Sequence, residues 1–480
     1  MPPNNIPTIN LPIATGINNR RFPIQSTTMG FRIFPSPAAH QPLLPAEKVK
    51  AIYSKERIKV FIGIFLGYAA YYFVRKNFSF AIPELQKLGY SKGELGLDAS
   101  ALSIAYGFSK FIMGNISDRS DARYFLSIGL VLSAFTMIFM GLIPFATSSI
   151  AIMFVLLFIN GWFQGMGWPP CGRVVAHWYS VRERGTTMSI WNLAHNLGGF
   201  LVGPLTVFGL ELFADWHGKL YFPGLVAILF ALVAFWLVRD TPQSVGLPPI
   251  EEYNNDYPKS YDKAQEKEFS AKEIFFKYVF NNRLLWFIAV ANAFVYLVRN
   301  GIINWAPTFL QEAKGFAQAE AAWSSGGYEL AAVPGTILCG LMSDKLFKGR
   351  RAPVTIIYMA MTLISVLVYW KAPSDSHFVL NVSLWAIGFF IYGPVMLIGV
   401  QAIDLVPKKA AGTAAGLTGL FGYFIGDLLA NAALGRLVDK YGWDMSFIAI
   451  AISCLLAIFF TAFTWNREKK NLANLTPLSH

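Results

Sequence analysis

Twelve times along its length the chain runs for about 20 predominantly apolar residues before charge or turn residues interrupt it. A run of that length is what an α-helix needs to cross the roughly 30 Å hydrocarbon core of a bilayer. Within a bilayer only helices and closed barrels satisfy all their backbone hydrogen bonds. The runs lie near 60–82, 95–115, 124–144, 149–171, 186–209, 219–238, 284–306, 324–343, 353–370, 379–402, 412–435 and 445–465. They predict an all-α membrane protein with twelve transmembrane helices. Composition agrees, with 54% hydrophobic and 14% charged residues where soluble domains carry about 25% charged, and a mean hydropathy of +0.44. Cys171, Cys339 and Cys454 fall far apart inside apolar runs, so no disulfide framework and no metal site is expected.

The formal charge of +12 does not point to nucleic acid, because the charges sit between apolar segments rather than on one amphipathic face. They order the topology instead. Arg119 and Arg123, Arg173, Arg182 and Arg184, Arg239 and Lys259 to Lys277, Lys345 to Arg351, Lys408 and Lys409, and Arg467 to Lys470 fall in alternate connections. By the positive-inside rule both termini and the 239–283 segment are cytoplasmic, and the loops holding Ser148, Asp215 and Asp375 are outside.

The chain also repeats itself. Tyr72-Phe-Val-Arg75 returns as Tyr296-Leu-Val-Arg299 at an offset of 224, and Gly114-x-x-Ser-Asp118-Arg119 as Gly340-x-x-Ser-Asp344-Lys345 at 226. Arg184-Gly-Thr186 returns as Ala411-Gly-Thr413 at 227. Three patches with one offset predict duplicated six-helix halves, 59–238 and 284–465, joined by a cytoplasmic linker at 239–283 and followed by a cytoplasmic tail at 466–480. Residues 1–58 are expected to be a disordered tail; they hold nine prolines, and no acid precedes Glu47. An acid-poor leader with Arg20, Arg21 and Arg32 has some character of a transit peptide, but its prolines break any amphipathic helix. An upstream start with Met29 as the natural initiator is the other reading.

Ionisable residues at membrane depth cost between about 2.5 and 17 kcal/mol depending on the method, so each is a functional candidate. Arg75, Lys76, Lys110, His195, Arg299, Glu329 and Asp427 all fall inside apolar runs. Cations outnumber acids, so a shared cavity built from them is expected to bind an anion. Arg75 and Arg299, at equivalent positions in the two halves, present planar forks that grip phosphate or carboxylate bidentately and keep their protons. His195, between Asn192 and Asn196, adds a donor that titrates near neutral pH. Each group also has a structural reading: snorkelling for the arginines, snorkelling or an ion pair for Lys76, an ion pair between Lys110 and Glu329, and a satisfied buried imidazole for His195. Tyr68, Tyr71, Tyr72, Tyr106, Tyr296 and Tyr392 recur around these cations and are candidates for the pocket wall. Trp168-Pro-Pro170 and Gly198-Gly199 are expected to break the fourth and fifth helices as hinges, the other reading being close helix packing. No Walker lysine motif, zinc-ligand cluster or nucleophile elbow occurs, so no enzyme activity and no cofactor is expected.

The repeated Gly-x-x-Ser-Asp-Arg loop resembles the signature of the major facilitator superfamily. Tyr72-Phe-Val-Arg-Lys-Asn77, Ala105-Tyr-Gly-Phe-Ser-Lys-Phe111, Gly161-Trp-Phe-Gln-Gly-Met-Gly-Trp-Pro-Pro-Cys-Gly-Arg173, Asp240-Thr-Pro-Gln-Ser244, Tyr392-Gly-Pro-Val-Met-Leu-Ile398 and Gly412-Thr-Ala-Ala-Gly416 resemble, within it, the organophosphate:phosphate antiporters. The likeness runs from about Met29 to the last span and is strongest to the bacterial branch that carries glycerol 3-phosphate. It implies the major facilitator fold and exchange of external sn-glycerol 3-phosphate for internal inorganic phosphate by a monomer in the bacterial inner membrane. Arg75 and Arg299 would bind the phosphate, with His195, Lys76 and Lys110 at matching family positions. A hexose 6-phosphate antiporter and a non-transporting phosphate-ester sensor share the pattern. Two departures bear on the organic part of the substrate: Asn304 stands where that branch has an acid, and Asp427 where it is uncharged. The expectation is that Asp427 supplies the acid that Asn304 does not.

Overall fold

In the computed structural model the described residues are 34–90, 92–255 and 269–465. The expectations for the leader up to residue 33, including the Met29 start, for linker residues 256–268 and for the tail from 466 lie outside them.

Twelve long helices follow in order. In the first half they are α1 (Ala46–Lys87), α2 (Lys92–Asp118), α3 (Ala122–Leu142), α4 (Ile150–Trp178), α5 (Val181–Phe213) and α6 (Gly218–Leu237). In the second half they are α7 (Arg283–Glu312), α8 (Gln318–Leu341), α9 (Arg351–Lys371), α10 (His377–Asp404), α11 (411–441) and α12 (Trp443–Ala462). By length and apolarity alone, nine of them qualify as membrane-crossing. The other three are α2 and α8, which are more polar, and α11, whose α-helical run is interrupted by π-helical turns over Phe421–Asp427 and Leu429–Ala433; all three contribute to the central cavities.

Local signals set the ends. Asp121 starts α3 by accepting from Arg123 N at 2.9 Å, and Asn282 starts α7 by accepting from Leu284 N at 3.2 Å. Ser180 N donates to Glu183 Oε1 at 3.1 Å at the start of α5. α1 begins at Ala46, directly after Pro45 and ahead of the boundary at 59. Its first turns are charged and helix-favouring, so a search for apolar runs passes over them. Residues before it are strapped to the far end of the same half, with Ala38 N on Asp240 Oδ2 at 3.2 Å and Leu44 N on Gly246 O at 2.9 Å.

The fourth helix does break, but at Gly165–Gly167 ahead of Trp168, where the prolines open its second segment, Trp168–Trp178. The fifth does not. α5 runs unbroken through Gly198 and Gly199, because Gly198 serves close packing: a Cβ there would lie 2.2 Å from the backbone oxygen of Ala69 on α1. Gly198→Val is therefore expected to separate α1 from α5, costing about 1–3 kcal/mol, and to lower the melting temperature of the purified protein.

At the end that carries the Arg- and Lys-rich connections the halves are bolted together. Asp118 of α2 accepts from Gly412 N and Thr413 N of α11, each at 2.7 Å, and from Thr413 Oγ1 at 2.6 Å. Asp344, its equivalent after α8, accepts from Gly185 N at 3.2 Å and from Thr186 N on α5. Each half thus places an aspartate on the positive N-terminal end of a helix in the other half. Arg351 joins Asp344 to Asp404, Arg184 also pairs with Asp404, and Lys408 meets Glu251 of the linker at 2.8 Å. At the opposite end the halves part around a cavity of about 1230 Å³.

Candidate functional site

Arg75 sits three turns from the end of α1 and Arg299 in the middle of α7, and both line the open cavity. Arg75 donates from Nη1 to Tyr72 Oη at 3.3 Å and lies with its guanidinium 3.9 Å from the ring centre of Tyr106. Arg299 donates from Nη2 to Tyr392 Oη at 3.1 Å and lies 4.5 Å from that ring. Neither guanidinium is ion-paired among the described residues. Arg299 Nε is buried without any hydrogen-bond partner.

His195 of α5 joins these two units. Its ring lies 5.8 Å from that of Tyr72 and 6.3 Å from that of Tyr392, nearly parallel to the latter at 7°. A second aromatic path runs from Tyr106 to Tyr423 at 4.8 Å and on to Tyr296 at 5.0 Å. Arg75 stacks on the start of that path, and the guanidinium of Arg299 lies 5.7 Å from the ring at its end. Tyr68 packs on Trp191 at 4.5 Å and edge-on against Tyr72 at 5.8 Å, in the wall behind Arg75. Tyr71 is turned away, with its hydroxyl on Leu126 O at 2.9 Å.

Beneath this aromatic layer is a chamber of about 70 Å³ that holds Lys110. The expected Lys110–Glu329 ion pair does not form. Lys110 Nζ lies 4.8 Å over the ring of Trp168, which the Gly165–Gly167 break brings into the chamber. Glu329 faces the upper cavity, where its Oε2 accepts from Tyr392 Oη at 2.7 Å and so supports Arg299 at second hand. Lys76 lines the same cavity and makes no ion pair among the described residues. Asp427 accepts from Asn300 Nδ2 at 2.7 Å rather than meeting Lys76, so the acid is placed beside α7.

Sequence reasoning passed over Tyr423, Asn300 and Trp168 as a partner of Lys110. Tyr423 lies four residues before Asp427, so the helical spacing that marks Asp427 could have marked it too. The assembled surface has cationic forks on opposite walls, a ring of tyrosine hydroxyls and no metal-ligating cluster among the described residues. It can bind a small tetrahedral anion and strip its water without reacting with it.

Comparison with known proteins fits this geometry. The model of the family described as Major Facilitator Superfamily matches residues 64–431. The glycerol-3-phosphate transporter of Bacillus subtilis (strain 168) is 58% identical over 434 residues, covering 90% of this chain and 98% of the relative. That of Haemophilus influenzae is 50% identical over 467 residues, covering 92% and 97%. Among solved structures, the proton:xylose symporter XylE bound to 6-bromo-6-deoxy-D-glucose superposes with a TM-score of 0.67 at 15% identity, over 86% of this chain and 96% of that one. At that identity the likeness is one of fold.

Proposed function

The chain belongs to the major facilitator superfamily, and from that membership we propose that it is a secondary active antiporter exchanging external sn-glycerol 3-phosphate for internal inorganic phosphate. The observation that carries this reading is the pair of arginines, one from each half, facing one cavity with tyrosine hydroxyls as their hydrogen-bond acceptors among the described residues. The high identity to glycerol-3-phosphate transporters supports the ester named. The positive-inside rule, applied to the basic connections, supports reading the bolted end as cytoplasmic and the open end as external, and the bacterial relatives support a bacterial inner membrane.

The mechanism follows from charge. To close the external mouth, α1 and α5 must approach α7 and α8, which brings two guanidiniums together in a medium that screens poorly. Two unit charges 8 Å apart at an effective dielectric constant of about 20 repel by roughly 2 kcal/mol. A phosphate dianion between them reverses the sign of that interaction. Its binding also joins Arg75 to Arg299 through one ligand, so the occupied carrier closes outside while the cytoplasmic latch opens. The empty carrier resists the same movement, and exchange is favoured over net flux. Tyrosine hydroxyls fill the remaining oxygen positions, and His195 adds a donor at the seam.

Proteoliposomes loaded with phosphate and offered equal concentrations of glycerol 3-phosphate, glucose 6-phosphate and 3-phosphoglycerate test the assignment. Glycerol 3-phosphate is expected to drive phosphate release fastest. A lead for glucose 6-phosphate would reassign the ester, and release driven by none would indicate a sensor.

A further inference from the structure

A guanidinium clamp cannot tell a phosphate ester from inorganic phosphate, because both show it the same three oxygens. Discrimination must come from whatever meets the alcohol part. Asn300 follows Arg299 directly on α7 and lines the same cavity. Its Nδ2 donates to Asp427 Oδ1 at 2.7 Å. That bond fixes which end of the amide is which, since a carboxylate accepts only from the nitrogen. The carbonyl oxygen of Asn300 is then the end left to accept.

The placement of Asp427 is built. α11 leaves α-helical geometry over Phe421–Asp427, where its turns widen into a π-helix, a distortion common at functional sites. The same stretch presses on α7: a Cβ on Gly426 would lie 2.4 Å from Ala293 O and 2.8 Å from Tyr296 Cβ. Ala293, Tyr296 and Asn300 lie on one face of α7, at the spacings i, i+3 and i+7. The carboxylate therefore reaches Asn300 because two helices meet there at backbone contact. A half-buried acid beside a phosphate clamp costs desolvation and repels the phosphate itself, so holding the phosphate does not account for it.

We propose that Asn300 reads a hydroxyl of the substrate and that Asp427 positions it, so that the site selects phosphate monoesters of hydroxylated alcohols over inorganic phosphate and over esters that carry a carboxylate. The proposal rests on the transport reading above. The carbonyl of Asn300 accepts the substrate hydroxyl next to the phosphate held by Arg299. The negative charge on Asp427 strengthens that acceptor through the amide and disfavours a second anionic group. Asp427 is a positioning residue, and Asn300 makes the contact.

The test uses the full-length protein in proteoliposomes and three probes: inorganic phosphate, glycerol 3-phosphate and propyl phosphate, which lacks the hydroxyls. The readout is the ratio of apparent affinities, glycerol 3-phosphate over phosphate, as competitors of labelled phosphate exchange. Asp427→Asn and Asn300→Ala are each expected to lower that ratio about tenfold, while the propyl phosphate to phosphate ratio stays within twofold of wild type. The double variant is expected to lose no more than Asn300→Ala alone, because the two act through one contact. A glycerol 3-phosphate ratio within twofold of wild type in both single variants overturns the hydroxyl role, whatever happens to the absolute rates. Wild-type vesicles that exchange no phosphate overturn the transport reading and this proposal with it.

Discussion

Arg75→Lys and Arg299→Lys should each reduce exchange of every phosphate substrate by on the order of 10²-fold or more while leaving the protein inserted and folded. The charge survives these changes, so a purely Coulombic attraction would survive too. What is lost is the planar fork, which can grip two phosphate oxygens at once and sits over an aromatic ring. Arg75 stacks 3.9 Å from the Tyr106 ring centre and Arg299 lies 4.5 Å from that of Tyr392, so each guanidinium is oriented before substrate arrives. A lysine ammonium is a more strongly hydrated point charge with no such platform, and in this cavity it would have to shed that water. Because one arginine comes from each half, losing either also cuts the ligand bridge that couples binding to closure. Rates of phosphate self-exchange and of glycerol 3-phosphate exchange in proteoliposomes, at matched protein levels, measure the effect. Rates within a few-fold of wild type in either variant would remove that arginine from the site.

The second large effect is expected at the latch. Asp344→Ala removes the acceptor for two backbone N–H groups of α5 and leaves Arg351, fully buried, with Asp404 as its remaining carboxylate. Breaking one side of a buried ion pair costs about 3–5 kcal/mol, and loss of a helix cap about 1 kcal/mol. The contacts of Asp344 with Gly185 and Thr186 cross between the halves, whereas Arg351, Asp344 and Asp404 all belong to the second. The share of the cost that falls on the conformer closed at the basic end is therefore that of the lost hydrogen bonds to the carboxylate, about 1.5–3 kcal/mol, and the population shifts toward the conformer open there. Ala415, buried in the deep chamber, reports this as a cysteine, since Cys171, Cys339 and Cys454 are themselves buried. Thiol labelling of Ala415→Cys should speed up at least about tenfold when Asp344→Ala is added, as a shift of that size requires only about 1.4 kcal/mol. An unchanged labelling rate would mean that the latch contributes no net stability to the closed end.

The spans were legible because lipid forces apolar runs of fixed length, and the two halves because three separate patches keep one offset. The same repeats concealed a further relation. Equal offsets state that Asp118 and Asp344 are equivalent, as are Gly412 and Gly185, but not that each aspartate caps the helix of the opposite half. Contact between halves is a tertiary fact with no local pattern. The expected partnership of Lys110 with Glu329 failed for a related reason. Opposite charges at similar depth look complementary in sequence, yet an aromatic layer puts them in separate cavities and gives Glu329 to Tyr392. The doubled glycine of α5 misled because a glycine pair reads equally well as a hinge or as a packing contact, and only the backbone of α1 beside Gly198 decides. Arg75, Arg299 and His195 stand out as candidates in the sequence because burying a cation in a membrane has so few purposes, and they line one cavity. Tyr423 and Asn300 are uncharged and carry no such signal.

Phosphate is expected to leave the loaded side only when another phosphate group binds in exchange, because two facing guanidiniums hold the empty carrier open. Efflux of labelled phosphate from loaded proteoliposomes containing the purified protein measures this directly. With no external substrate, efflux should approach that of protein-free vesicles, and saturating external glycerol 3-phosphate should raise it by on the order of 10²-fold, as about 2–3 kcal/mol of relieved repulsion allows. Efflux that is equally fast with and without external substrate would contradict the account.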